Sequence, residues 1–135
     1  MAERLRLVVD TNVVVSAALH PLGIPARSLF LAFDLHRVFV SREILDEYGD
    51  VLFRKKLKLD PKEANRILDF VKERSEFIRP RFHIYGCKDP DDDKFLECAV
   101  ASGSDYIITG NKKDFPAAIG KTLVVSPREF LALPA

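Results

Sequence analysis

Cysteine is scarce. The chain of 135 residues has two, Cys87 and Cys98, which lie outside any Cys-x-x-Cys spacing and can form one disulfide at most. That excludes a small secreted scaffold stapled by several bridges and argues for a reducing, cytoplasmic setting. Charge of one sign is also missing: 21 Lys and Arg against 20 Asp and Glu leave +1 at pH 7. No global field draws the chain to a polyanion, so such a partner has to be held by local patches or by metal ions. Long apolar runs are absent too. The longest with a buried character, Leu29 to Phe33, falls far short of the roughly 20 residues of a membrane-spanning helix, and no membrane partner is expected. Arg4 and Arg6 ahead of apolar residues mimic a secretory signal until Asp10, Thr11 and Asn12 interrupt the stretch, which reads instead as a first strand. The three histidines, His20, His36 and His83, show no His-x-x-x-His or Cys/His spacing, which argues against zinc. His36 and His83 are expected at the surface, at the ends of elements. The phosphate-binding patterns Gly-x-x-x-x-Gly-Lys-Ser/Thr and Gly-x-Gly-x-x-Gly do not occur, nor does the Gly-x-Ser-x-Gly nucleophile elbow.

What is present is a globule's composition, 47% apolar and 30% charged, at a length suited to one domain over residues 1–135. Short β-branched runs alternate with helical periodicity along the whole chain, which argues an α/β fold with a largely parallel sheet. Leu5 to Val9, Val38 to Val40, Tyr106 to Ile108 and Leu123 to Val125 read as strands, with a weaker fifth around Phe77 and Ile78. Helices are expected over Asn12 to Leu19, Ala26 to His36, Ser41 to about Phe53, Pro61 to Glu76, Pro90 to Ser102 and Pro127 to Leu131.

Three helices open alike, at Asp60-Pro61-Lys62-Glu63, Asp89-Pro90-Asp91-Asp92 and Ser126-Pro127-Arg128-Glu129. In each, the Asp or Ser can accept a free first-turn amide, proline fits a position that needs no donor, and the acid three residues on can complete a capping box. Glu63 and Glu129 are assigned to that structural role alone.

The remaining acids divide by position. Asp10 ends an apolar strand, where an open parallel sheet places its ligand crevice, and it is equally a good N-cap for the helix that follows. On the helix from Ser41, the stripe Ile44, Leu45, Tyr48, Val51, Leu52 defines a buried face, and of Glu43, Asp46, Glu47 and Asp50 only Glu47 borders it. The segment Asp89-Pro90-Asp91-Asp92-Asp93 packs four acids into five residues, which repel one another unless a cation intervenes. Continuing its helix at about 100° per residue puts Asp92 in line with Phe95, Leu96 and Ala99, with Asp91 and Asp93 near the edges. Asp92 also suits a capping acid. After the strand Tyr106 to Ile108 come Thr109, Asn111 and Asp114; one helical turn puts the last two on one side. Carboxylates converging from separate elements are what Mg²⁺ or Mn²⁺ requires.

Taken together, Val8-Val9-Asp10-Thr11-Asn12, Glu47 within Ile44 to Tyr48, Asp92 within Asp89 to Leu96, and Thr109-Gly110-Asn111 with Asp114 resemble the PIN domain, over nearly the whole chain. This family of small metal-dependent nucleases includes toxins of toxin–antitoxin pairs. The resemblance implies a three-layer fold whose central, largely parallel sheet of four or five strands is flanked by helices. It also implies hydrolysis of RNA phosphodiester bonds with Mg²⁺ or Mn²⁺. Asp10, Glu47, Asp92 and Asp114 are the catalytic candidates it points to, with Asp10, Asp92 and Asp114 as metal ligands and Asn12, Thr109 and Asn111 in support. RNA is the implied substrate, and an antitoxin and a second copy of the chain are the implied partners. Many members carry Thr-x-Asp where this chain has Thr109-Gly110-Asn111, which leaves Asn111 and Asp114 as alternatives for the fourth position. Arg54, Lys55, Lys56 and Lys58, and Lys112 and Lys113, are candidates for holding the RNA backbone. Two alternatives stand beside this reading: a receiver-like phosphorylation switch, which needs an acceptor Asp at the end of its third strand, and a degenerate PIN domain that only binds protein.

Overall fold

The computed structural model describes residues 4–134; residues 1–3 and 135, the ends of the expected domain, lie outside the described residues. The chain runs β1 (Arg6–Val9), α1 (Thr11–Leu19), α2 (Ile24–Leu35), β2 (Arg37–Val40), α3 (Arg42–Leu52), α4 (Pro61–Arg74), β3 (Glu76–Phe77), α5 (Asp93–Ser102), β4 (Tyr106–Ile108), β5 (Ala118–Ile119), β6 (Thr122–Val125) and α6 (Pro127–Leu131). Single 3-10 turns intervene at Lys55–Leu57, Pro90–Asp92 and Lys112–Asp114. The strands lie in the order β3-β2-β1-β4-β6-β5 and are flanked by helices. Five of them are the parallel strands expected. The sixth, β5, is antiparallel to β6 and closes a two-residue turn at Gly120, whose φ of 55° is open to glycine at little cost.

Leu7, Val8 and Val9 are at most 1% exposed, because β1 is central and covered on both faces. β1 pairs with β2 on one side and β4 on the other. The chain first winds outward through β2 and β3, then crosses to β4 and winds the other way. The reversal falls between β1 and β4, which is where open α/β sheets leave a crevice outside the carboxyl ends of their strands. α1 packs on α2 and α3, α2 on α6, and α5 beneath β1 and β2.

Several boundaries differ from the sequence expectation. α4 stops at Arg74, and Glu76, expected in that helix, lies in β3: both of its carboxylate oxygens take Arg37 nitrogens at 2.6 Å and its backbone pairs with Phe39. The helix expected from Pro90 is a 3-10 turn followed by α5 from Asp93. Of the three expected capping boxes, the one at Ser126 and Glu129 forms in full; Asp60 and Asp89 cap through their own carboxylates. His36 is half-buried rather than at the surface, its Nδ1 accepting the Leu5 amide at 3.0 Å and its ring meeting Phe130 edge-on. Burial and Arg4 lower its pKa, so it is neutral glue. α5 ends on Gly103, where a φ of 64° would strain any residue with a Cβ.

Candidate active site

Parallel pairing of Val9 with Ile108 sets the residues that follow, Asp10 and Thr109, side by side at the crevice. The Thr109 hydroxyl donates to Asp10 Oδ2 at 2.7 Å and itself accepts the Asn111 amide at 3.0 Å. Asp10 Oδ1 accepts the Thr11 amide at 2.7 Å, so Asp10 caps α1 and faces the crevice at once. Its side chain is nearly sealed from water, at 6% exposure. Burial pushes its carboxyl up to about 6, against the Thr109 and Thr11 hydrogen bonds and with help from Glu47 and Asp114.

α3 delivers Glu47. Ile44, Tyr48 and Leu52 are buried, Glu47 is half-buried beside them, and Glu43, Asp46 and Asp50 are exposed, as the stripe predicts. The Tyr48 hydroxyl donates to the Val9 carbonyl just before Asp10, pinning α3 to the end of β1. Tyr48 is 1% exposed and its pKa is raised well above the usual range, chiefly by burial, so it stays a donor. Both Glu47 oxygens are engaged: the Thr11 hydroxyl donates to Oε2, and Lys94 Nζ donates to Oε1 at 2.7 Å. Sequence reasoning passed over Lys94 because its neighbours are acids and its partner lies 47 residues away.

The acidic segment behaves differently from its expected phase. A 3-10 turn advances by about 120° per residue instead of 100°, so Asp93 and not Asp92 points inward. Asp93 is 6% exposed and accepts the Gly86 and Cys87 amides at 3.1 and 2.8 Å. It ties down a loop so close to α5 that a Cβ on Gly86 would stand 2.8 Å from Leu96. Asp92 is half-buried, makes no capping hydrogen bond, and faces the crevice. Burial first, then Asp10, Asp89, Glu47 and Asp114, raise its carboxyl to about 6.

Asp10, Asn12, Glu47, Asp92, Asn111 and Asp114 line one cleft of about 370 Å³, with Asp89, Asp91 and Arg54 at the same opening. Asn12 Oδ1 accepts the Gly110 amide at 3.1 Å, stitching α1 to the segment after β4. The 3-10 turn, closed by the Asp114 amide on the Asn111 carbonyl at 3.0 Å, carries both of those residues to the cleft. Asp114 makes no ion pair among the described residues; Lys112 pairs with Glu129 at 2.9 Å instead. Glu129 therefore does more than cap, contrary to the role assigned from sequence. Of the expected cations only Arg54 lines the cleft, while Lys55, Lys56, Lys58, Lys112 and Lys113 are exposed and stand outside it. A wider groove of about 550 Å³ between α3, α4 and β3 holds Asp46 and Asp50 but none of the candidate acids.

The donor set is oxygen only and rich in carboxylate, which fits a hard divalent cation; the pKa values of Asp10 and Asp92 are raised first by burial and then by their acidic neighbours. Among the described residues no three His, Cys, Asp or Glu side chains are gathered as a ready-made ion cage, and Mg²⁺ is commonly held by one or two carboxylates with its own waters. The receiver-like alternative fails on position: β3 is followed by Ile78, Arg79 and Pro80, with no acceptor acid. Both thiols are pushed up to about 12, chiefly by burial, and stay protonated.

The sequence profile of the PIN domain matches residues 6–113. An uncharacterised protein of Methanocaldococcus jannaschii is 37% identical over 113 residues, covering 81% of this chain and 72% of the relative. Among solved structures, VapBC2 from Rickettsia felis, bound to a DNA fragment from their promoter, shares the fold with a TM-score of 0.62 at 18% identity, over 90% of this chain and 98% of that one.

Proposed function

This chain belongs to the PIN-domain family, whose members are generally nucleases, and we propose that its acidic cleft hydrolyses RNA phosphodiester bonds with Mg²⁺ or Mn²⁺. The observation that carries the reading is the convergence of Asp10, Glu47, Asp92 and Asp114, from four separate elements, on one cleft at the β1–β4 reversal. Bound there, a divalent ion supplies Lewis acidity that activates water and neutralises the scissile phosphate. Asp10, Asp92 and Asp114 are the residues that would hold it; Asp10 keeps spare lone pairs beside its two hydrogen bonds. Glu47, clamped by Thr11 and Lys94, is the acceptor for a proton of the attacking water. Thr109, Asn12 and Asn111 fix the loop that brings Asp114 in. An acidic cleft repels a bare phosphate backbone, so Arg54 at the rim, with Lys55, Lys56, Lys112 and Lys113 farther out, holds the flanking nucleotides.

The same reading makes the chain a cytoplasmic toxin with an antitoxin partner, and a homodimer. What motivates it is membership of a family that includes toxins of toxin–antitoxin pairs, together with the fold shared with VapBC2. A short open reading frame beside the gene, whose product relieves growth arrest caused by this chain, is the expected genetic counterpart. The direct test is cleavage of a fluorophore–quencher RNA and of its DNA equivalent. RNA cleavage is expected with Mn²⁺, none with EDTA and none by Asp10→Asn. Cleavage that survives EDTA, or that Asp10→Asn retains, overturns the reading.

A further inference from the structure

Asp10 and Glu47 both have their two oxygens engaged, but among the described residues Glu47 alone of the candidate acids in the cleft is paired with a cation. The Lys94 ammonium sits 2.7 Å from Oε1, and the two side chains are 18% and 19% exposed, so neither is freely solvated. Lys94 stands in the first turn of α5 and reaches across to α3 as the ion-pair partner of Glu47.

Two divalent ions sharing an active site sit about 3.5–4 Å apart and need carboxylates for both. A second ion at Glu47 would stand beside the Lys94 ammonium, 2.7 Å from Oε1 and only 18% exposed, and like charges that close repel with little water to screen them. Arg54 lines the same cleft but forms no ion pair with these acids. We propose that Lys94 is a positioning residue that takes the place of a second metal ion: it holds Glu47 out of the coordination sphere, and the cleft binds one divalent ion rather than two. This rests on the metal-site reading above, and it accounts for Glu47 acting on water while Asp10, Asp92 and Asp114 act as ligands.

The probe is Mn²⁺ alone, without RNA, followed by calorimetric titration and by electron paramagnetic resonance of the bound ion. The full chain is expected to take up one ion with the spectrum of isolated Mn²⁺. Lys94→Met should bind a second ion about ten- to a hundredfold more tightly than the parent does, the equivalent of one charge-assisted hydrogen bond, and show the spectrum of a spin-coupled pair. Lys94→Arg, which keeps the charge, should remain at one ion. A spin-coupled pair in the unmodified chain overturns this inference while leaving the metal site standing, and so does a Lys94→Met protein, folded by circular dichroism, that stays at one ion. Failure of the unmodified chain to bind Mn²⁺ at all overturns the metal-site reading and this inference together.

Discussion

Replacing Asp92 by Asn separates a crowded cleft acid from a helix cap by whether the metal-free protein gains stability. In the folded chain Asp92 titrates at about 6 against an ordinary 3.8, because burial strips its water and Asp10, Asp89, Glu47 and Asp114 surround it. Between those values the folded chain binds more protons than the unfolded chain, so stability falls as pH rises through that window and the loss is complete above it. Two pKa units correspond to about 3 kcal/mol. The side chain is only half-buried, and solvent screening reduces the figure to about 1 kcal/mol. Asn carries no charge, and since Asp92 makes no capping hydrogen bond the change gives none up. Asp92→Asn should therefore stabilise the metal-free protein at about pH 7.5 by about 1 kcal/mol, a rise in Tm of roughly 3 °C, and the gain should vanish below about pH 4. A cap predicts no such gain, since Asn caps a helix about as well as Asp, and predicts a loss of about 1 kcal/mol for Asp92→Ala. Added Mn²⁺ should raise the Tm of the parent by mass action and leave the variant unmoved. A variant that does not melt above the parent at about pH 7.5 without metal, or that gains as much from Mn²⁺, refutes the reasoning.

Asp93→Ala should move stability the other way, losing about 2–3 kcal/mol by urea unfolding, because the Gly86 and Cys87 amides are left without their acceptor. Asp114→Ala should weaken Mn²⁺ affinity and RNA cleavage more than Asn111→Ala does, since an amide carbonyl can coordinate but carries no charge; equal effects in a calorimetric titration would give the fourth position to Asn111. Tyr48→Phe should cost about 1–2 kcal/mol in urea and lower cleavage, because the Val9 carbonyl loses its donor and α3 its anchor beside Asp10; an unchanged midpoint would remove Tyr48 from the positioning of Glu47.

Much of this site is legible along the chain because its positions are set by local rules. Asp10 stands where an apolar run stops, Glu47 is the one acid beside its helix's buried stripe, and proline marks the starts of α4 and α6. Asp92 reaches the cleft, but the inward phase assigned to it belongs to Asp93, since proline at Pro90 opens a 3-10 turn and the two helical pitches differ by about 20° per residue. What local rules miss are partners distant in sequence. Lys94 reads as one more solvated lysine among acids until folding brings α3 to it, and Lys112 as a free cation until α6 presents Glu129. Strand β5 has two residues, too few to show any period, and Glu76 continues a helical pattern that the Arg37 ion pair on β2 overrides.

In the mechanism proposed above, the acids gathered at the β1–β4 reversal hold the cation of a phosphodiester hydrolysis. Crystals of the full chain soaked in Mn²⁺ and measured at the manganese absorption edge test it most directly. An anomalous peak is expected among the carboxylates of Asp10, Asp92 and Asp114, lost in Asp10→Asn crystals of the same form. A peak elsewhere, with none in the cleft, while the dissolved protein cleaves RNA in Mn²⁺, would contradict it.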